Sequence, residues 1–177
     1  MRHTIRTWIT LVTAAALIVW ADLALANTRV ALVIGNGAYV HARPLINPVR
    51  DVKAISEKLR SLGFRVESHI DRTKAEIDEI LRRFVSRIDK ADVALIFYAG
   101  HGIQVRGKNY IIPIDAKLGD VGDVQFELNE INKLVKAVEQ KAKRTEVFLD
   151  ACRDNPFVQS MRGLSVFKCF GHNRSLS

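Results

Sequence analysis

Asp92–Gly102, DVALIFYAGHG, sets an apolar run of strand length directly against a histidine flanked by glycines. The run does not alternate apolar with polar residues, so it reads as a strand buried on both faces, as in a parallel sheet covered by helices. Two further segments have the same form: Arg29–Ile34 (RVALVI) stops at Gly35-Asn36-Gly37, and Thr145–Leu149 (TEVFL) stops at Asp150-Ala151-Cys152. The chain between them carries helical signals. Asn47-Pro48 predicts an N-cap followed by proline at the first helical position, with Val49, Val52, Ile55, Leu59 and Leu62 recurring at helical spacing until Gly63. Thr73 with Glu76 predicts a capping box, ahead of a stripe of Ile77, Ile80, Leu81, Phe84, Val85 and Ile88 that ends near Asp89. Phe64–Ile70 alternates like a strand with one exposed face, Tyr110–Ile114 reads as a short strand, and Leu128, Ile131, Leu134, Val135 and Val138 give a third helix. Strands alternating with helices predict an α/β fold around a mainly parallel sheet.

Such sheets hold their chemistry at the carboxyl ends of the strands. That rule gathers Gly35–Gly37, His101 and Cys152 on one rim. Taken singly, a histidine between glycines is more often a turn residue, and a cysteine after an apolar strand is more often core. The pair reads differently, because a thiol nucleophile needs an imidazole to help ionise it and then to protonate the leaving amine. Ala151-Cys152-Arg153 follows His101 by about fifty positions, the spacing of a caspase-type cysteine and histidine. The backbone N–H groups of Gly102 and Cys152 are candidates for binding a tetrahedral oxyanion. Asp150 lies two positions before Cys152, on the same side of an extended chain, where a carboxylate favours a cationic substrate side chain. Asp51, expected in the first turn of the first helix, is read either as its partner or as an acid serving the helix dipole.

With those segments in place, the chain resembles the caspase/metacaspase superfamily of cysteine peptidases, in particular bacterial secreted metacaspase-like members. The resemblance runs from about Arg29 to Phe157 and rests on five segments in order: RVALVIGNGAY, LINPVRDVKAISEKLRSLGF, ALIFYAGHG, NYIIPID and VFLDACRDNPF. It implies a caspase-type α/β/α sandwich, His101 as general base and acid, and Cys152 as nucleophile. It also implies that Asp150 and Asp51 select Arg or Lys before the scissile bond, as the acids of metacaspases do. The paired aspartates expected of a calcium-stimulated member after Ile-Pro-Ile-Asp are not evident; Phe126-Glu127-Leu128-Asn129-Glu130 stands there instead. No cofactor and no metal are expected. Beyond Phe157 the family continues into a small-subunit region that adds strands to the sheet. Here Val158–Ser177 reads as an irregular tail of a truncated or frameshifted member, so the sheet is expected to lack its C-terminal part. The corresponding expectations are an exposed edge open to association, weak or absent activity, and, as the competing reading, a non-catalytic scaffold that binds a partner.

The remaining sequence bounds setting and partners. Met1–Trp8 holds two arginines and no acid, Ile9–Ala21 is apolar, and Ala24-Leu25-Ala26 offers a small-x-small cleavage site. Residues 1–26 therefore read as a signal peptide, 27–157 as the catalytic domain and 158–177 as the tail, with a secreted or periplasmic product and no membrane span after cleavage. The alternative for the first segment is an uncleaved anchor. Cleavage leaves a net charge of about +7, spread over helix faces without interleaved aromatics, which argues against nucleic acid and leaves a protein or peptide substrate. Position 40 is Val40, so the glycine turn lacks the Gly-x-Gly-x-x-Gly pattern of a dinucleotide site, and neither metal-ligand spacing nor a G-x-S-x-G elbow occurs. Cys152 and Cys169 are the two cysteines; their contexts argue against a structural disulfide.

Overall fold

A computed structural model describes residues 28–151 of the chain. Residues 1–27 and 152–177 lie outside the described residues, and with them the expected signal segment, Cys152, Cys169 and the expected tail.

Four parallel strands form the central sheet: β1 (Arg29–Gly35), β2 (Arg65–Ile70), β3 (Val93–Gly100) and, last in the chain, Thr145–Ala151. Their order across the sheet places the second strand at one edge, then β1, then β3, then Thr145–Ala151. Helix α1 (Asn47–Ser61) connects β1 to β2, and α2 (Lys74–Arg87) carries the chain back across the sheet to β3. Because the two connections travel in opposite directions, right-handed crossovers place their helices on opposite faces. Alternation of side chains along each strand then sorts the core. Ala31, Val33, Leu95, Phe97 and Ala99 pack with Val52 and Leu59 of α1. Val30, Leu32, Ile34, Ala94, Ile96 and Tyr98 pack with Ile77, Ile80 and Phe84 of α2, and with Ile131, Leu134, Val135 and Val138. The fold is thus a three-layer α/β/α arrangement, in which each fully buried aliphatic side chain contributes about 1.5–3 kcal/mol.

Beside this sheet the chain builds a small antiparallel one from β4 (Gly102–Val105), β5 (Lys108–Ile111) and β6 (Asn129–Glu130). A short 3-10 turn and α3 (Val124–Glu127) precede β6, α4 (Ile131–Glu139) follows it, and Thr145–Ala151 becomes β7. No helix among the described residues is long and apolar enough to cross a membrane.

Several boundaries differ from the sequence expectation. α1 starts at Asn47, with Ile46 in the N-cap position and no side-chain cap, so Asn47 is not the cap. Proline's fixed φ suits either of the first two helical positions, and Pro48 therefore does not fix the start by itself. Asp51 is in consequence the fifth helical residue, one position past the first turn. The short strand expected over Tyr110–Ile114 is instead Lys108–Ile111, paired with a strand the pattern did not announce. Leu128 caps α3 and is not part of the third helix.

At α2 the expectation and the structure agree. Thr73 Oγ1 accepts a hydrogen bond from the Glu76 N–H, and the Thr73 N–H donates to Glu76 Oε2 at 2.9 Å. The bond from the Thr73 N–H, followed by one that the Thr73 hydroxyl donates to Glu76 Oε2 at 2.8 Å, lowers the pKa of the Glu76 carboxyl. Thr73→Ala is expected to destabilise the domain by about 1 kcal/mol, read from denaturant unfolding; a change below a few tenths would mean that packing alone sets the helix start.

Candidate active site

Chain direction around the sheet reverses between β1 and β3, which opens a crevice at their carboxyl ends. A cleft of about 470 Å³ lies there, lined by Arg43, Pro44, Leu45 and Ile46 of the loop before α1, by Asp51 of α1, by Gly100 and His101 after β3, and by Asp150 of β7. A larger cleft of about 580 Å³ between α2 and α4 has neither histidine nor cysteine in its lining, so the chemistry expected from the sequence belongs to the smaller one.

Sheet register explains why the two carboxylates converge. Ala99 of β3 is paired with Asp150 of β7, and Ala99 belongs to the face packed by α1. Asp150 therefore projects to the layer that carries Asp51. Asp150 is exposed and Asp51 half-buried, and among the described residues lining the cleft Arg43 is the one arginine or lysine.

His101 is 3 % exposed. Its Nε2 lies 2.8 Å from the Arg43 carbonyl oxygen. A carbonyl can only accept, so Nε2 carries the proton and Nδ1 is the basic nitrogen of the neutral ring. The tilted ring of Tyr39 packs on the imidazole with centroids 4.5 Å apart. The His101 N–H donates to Tyr39 Oη at 2.7 Å, and its carbonyl accepts from Tyr98 Oη at 2.7 Å and from the Ile112 N–H at 3.1 Å. The final register pair of β3 and β7 is Gly100 with Ala151. His101 thus follows directly on the last paired residue of β3, beside Ala151 at the end of β7.

Gly102 opens β4 opposite Ile111. The Ile112 N–H bond to the His101 carbonyl makes the flanking pair the hydrogen-bonded one, so the Gly102 N–H is directed away from β5.

The glycine turn after β1 has a structural task. Asn36 is fully buried: its N–H donates to the Ala99 carbonyl, its Nδ2 donates to the Ile112 carbonyl at 3.0 Å, and its Oδ1 accepts from the Arg72 N–H at 3.0 Å. Asp71 Oδ1 accepts from the N–H groups of Gly37 and Ala38 at 2.7 and 2.9 Å. Together they tie the loops after β1 and β2 to the strand end that bears His101. Among the described residues no group of three or more His, Cys, Asp or Glu side chains could hold a metal ion.

A sequence model of the caspase domain, peptidase family C14, matches residues 28–168. The chain belongs to this family. It is 35 % identical over 133 residues to the mucosa-associated lymphoid tissue lymphoma translocation protein 1 of Homo sapiens, a match that covers 75 % of this chain and 16 % of that protein. The Mus musculus homolog matches at 35 % over 130 residues, 73 % of this chain and 15 % of the relative. The chain thus spans about one sixth of the length of these curated relatives. Among solved structures, the Drosophila initiator caspase Dronc superposes with a TM-score of 0.56 at 15 % identity, over 73 % of this chain and 50 % of that one. A protein from Geobacter sulfurreducens superposes with a TM-score of 0.55 at 19 % identity, over 71 % and 50 %. At such identities the likeness is one of fold, and it agrees with the α/β arrangement around a parallel sheet. The caspase domain is the fold of a family of cysteine peptidases that act on protein substrates.

Tyr39, Tyr98 and Arg43 were not singled out from the sequence as site residues. Arg43 contributes a backbone carbonyl, which has no side-chain signature. The two tyrosines sit in apolar segments, where an aromatic residue reads as core.

Proposed function

We propose that this caspase-family chain is a cysteine-type endopeptidase in which His101 and Cys152 form the catalytic dyad and Asp51 and Asp150 select Arg or Lys before the scissile bond. The observation that carries this reading is the bond from His101 Nε2 to the Arg43 carbonyl. It commits Nε2 as a donor and makes Nδ1 the proton acceptor, on the strand next to the one that leads into Cys152. The thiol proton passes to Nδ1, and the thiolate adds to the scissile carbonyl carbon. Negative charge builds on the carbonyl oxygen, where the Gly102 and Cys152 N–H groups serve as donors. The imidazolium then returns its proton to the leaving amine as the C–N bond breaks, which leaves a thioester on Cys152. Water, deprotonated by His101, hydrolyses the thioester and restores the thiol.

Asp51 and Asp150 both line the cleft beside His101. A guanidinium or ammonium held by two carboxylates gains charge-assisted hydrogen bonds that a neutral or acidic side chain does not. Hydrolysis of fluorogenic peptides with Arg, Lys or Asp before the leaving group tests both parts. Turnover is expected for Arg and Lys, and Asp150→Asn or Asp51→Asn is expected to lower kcat/KM for the arginyl peptide by about 10- to 100-fold, the weight of one hydrogen bond to a charged group. Preference for Asp would overturn the basic-residue reading. No hydrolysis of any of the three would overturn the peptidase reading in favour of a partner-binding scaffold.

A further inference from the structure

The hydroxyls behind His101 form a directed circuit. Tyr98 Oη has one proton, and it lies 2.7 Å from the His101 carbonyl and 3.2 Å from the Ile112 carbonyl. Both are acceptors only, so the Tyr98 proton is committed to them. In the 3.3 Å contact between the two phenol oxygens, Tyr39 must then be the donor. Tyr39 Oη accepts in turn from the His101 N–H. The path leaves His101 at its N–H, runs through Tyr39 and then Tyr98, and returns to His101 at its carbonyl.

We propose that Tyr39 and Tyr98 are positioning residues that lock His101 through this closed hydrogen-bond circuit and thereby hold its imidazole in the Nε2–H form that leaves Nδ1 as the base. His101 sits at the break between β3 and β4, where its carbonyl accepts from the Ile112 N–H but its own N–H makes no ladder bond. Its N–H therefore has no strand to donate to, and a buried amide without an acceptor is costly. The Tyr39 phenol supplies that acceptor. With the backbone held on both sides, the direction of the Cα–Cβ bond is set, and two contacts from one loop place the ring: the Tyr39 face and the Arg43 carbonyl. That loop is itself pinned, because the Val40 N–H donates to the Ile114 carbonyl and the Leu45 N–H to the Gly37 carbonyl. Tyr39 thus acts twice, with its hydroxyl on the backbone and its ring on the imidazole. Both tyrosines are almost wholly buried, so water does not substitute for either hydroxyl.

The role in catalysis rests on the peptidase reading above; the effect on the imidazole does not, and the experiment separates them. In the full chain labelled with ¹⁵N-histidine, His101 is assigned by comparison with His101→Gln. It is expected to give the nitrogen shifts of a single Nε2–H tautomer. Tyr39→Phe and Tyr98→Phe, which remove only the hydroxyl, are each expected to move those shifts toward a mixture of tautomers. Each is expected to lower kcat for an arginyl peptide about tenfold, with KM changed less than twofold, as for a group that orients a catalyst without binding substrate. The double variant is expected to be no worse than the more damaging single one, since either substitution opens the circuit. Unaltered tautomer signals in both single variants would overturn the proposal, whatever the turnover. Turnover that survives loss of His101, with tautomer shifts as expected, would overturn the peptidase reading and leave the lock standing. A measurement without substitution guards against variants that fail to fold: the His101 amide is expected to exchange with solvent at least about 100-fold more slowly than the amides of the Arg106-Gly107 turn. Equal exchange would overturn the circuit.

Discussion

Replacing His101 with alanine is expected to lower kcat for an arginyl peptide by about 10²–10⁴-fold, the span that a positioned acid–base group contributes. Two losses combine in this change. In the proposed mechanism the thiol of Cys152 loses the base that takes its proton, and the leaving amine loses the acid that protonates it. Cys152→Ala removes the nucleophile itself and is expected to reduce turnover at least as far, with the double variant little worse than either, because the two groups act as one unit. The residual activity of His101→Ala carries a second signature. Without the imidazole partner nothing beside the thiol favours its thiolate, so the remaining rate should keep climbing with pH over a range where the parent has already reached its plateau. Alkylation of Cys152 by iodoacetamide should follow the same two profiles, which gives a readout independent of peptide binding. Activity within threefold of the parent would remove His101 from the mechanism.

Legibility in the sequence followed how much of each element's environment is local. β1 and β3 were plain because strands covered on both faces must be apolar at almost every position, and RVALVI and VALIFY are. β7, expected as a further buried strand, forms where TEVFL placed it but is only partly buried, with Phe148 and Asp150 exposed, as its polar Thr145 and Glu146 allow. α2 was plain because its capping box and its apolar stripe both lie within the helix. β4 was missed for a specific reason. Its hairpin turns on Arg106-Gly107, both with positive φ, 48° and 78°, and the usual residue before glycine in such a turn is Asn or Asp. An arginine there hides the signal. β6 is two residues long and is held from outside, where the Asn129 amide donates to Asp78 Oδ1 of α2, so no periodicity could announce it.

The site divides in the same way. His101 and the two aspartates were legible as residue types at telling positions, and the register of β3 with β7 supplies the geometry that the spacing only implied. The parts that orient His101 were illegible, because they are a backbone carbonyl, a phenol 62 positions away, a second phenol that reads as core in its apolar run, and an asparagine whose three bonds reach residues 36 to 76 positions away. Long-range polar contacts leave no pattern in a local window. Gly35-Asn36-Gly37, read as a turn, is a knot of side-chain and backbone hydrogen bonds beneath the rim that bears His101.

The same geometry makes Gly100 the most sensitive backbone position near the cleft. Its φ of 155° lies in a region that glycine alone enters without strain. A Cβ placed on it would stand 2.6 Å from Tyr98 Oη and 2.7 Å from Tyr39 Oη, well inside contact distance of both hydroxyls of the circuit. Neither phenol can withdraw without opening its hydrogen bond to His101, so the collision cannot be relieved cheaply. Backbone strain and overpacking each cost about 1–3 kcal/mol, and Gly100→Ala is expected to destabilise the domain by about 3–5 kcal/mol in denaturant unfolding. Gly107→Ala separates the two contributions, since Gly107 has φ of 78° but nothing within 4 Å of its added Cβ. It is expected to cost about 1 kcal/mol, the conformational share alone. Equal losses for the two variants would mean that φ, and not the tyrosine hydroxyls, makes glycine necessary before His101. A larger loss for Gly100→Ala, accompanied by mixed His101 tautomers in the fraction that folds, would trace the requirement for glycine to the space that the two hydroxyls occupy.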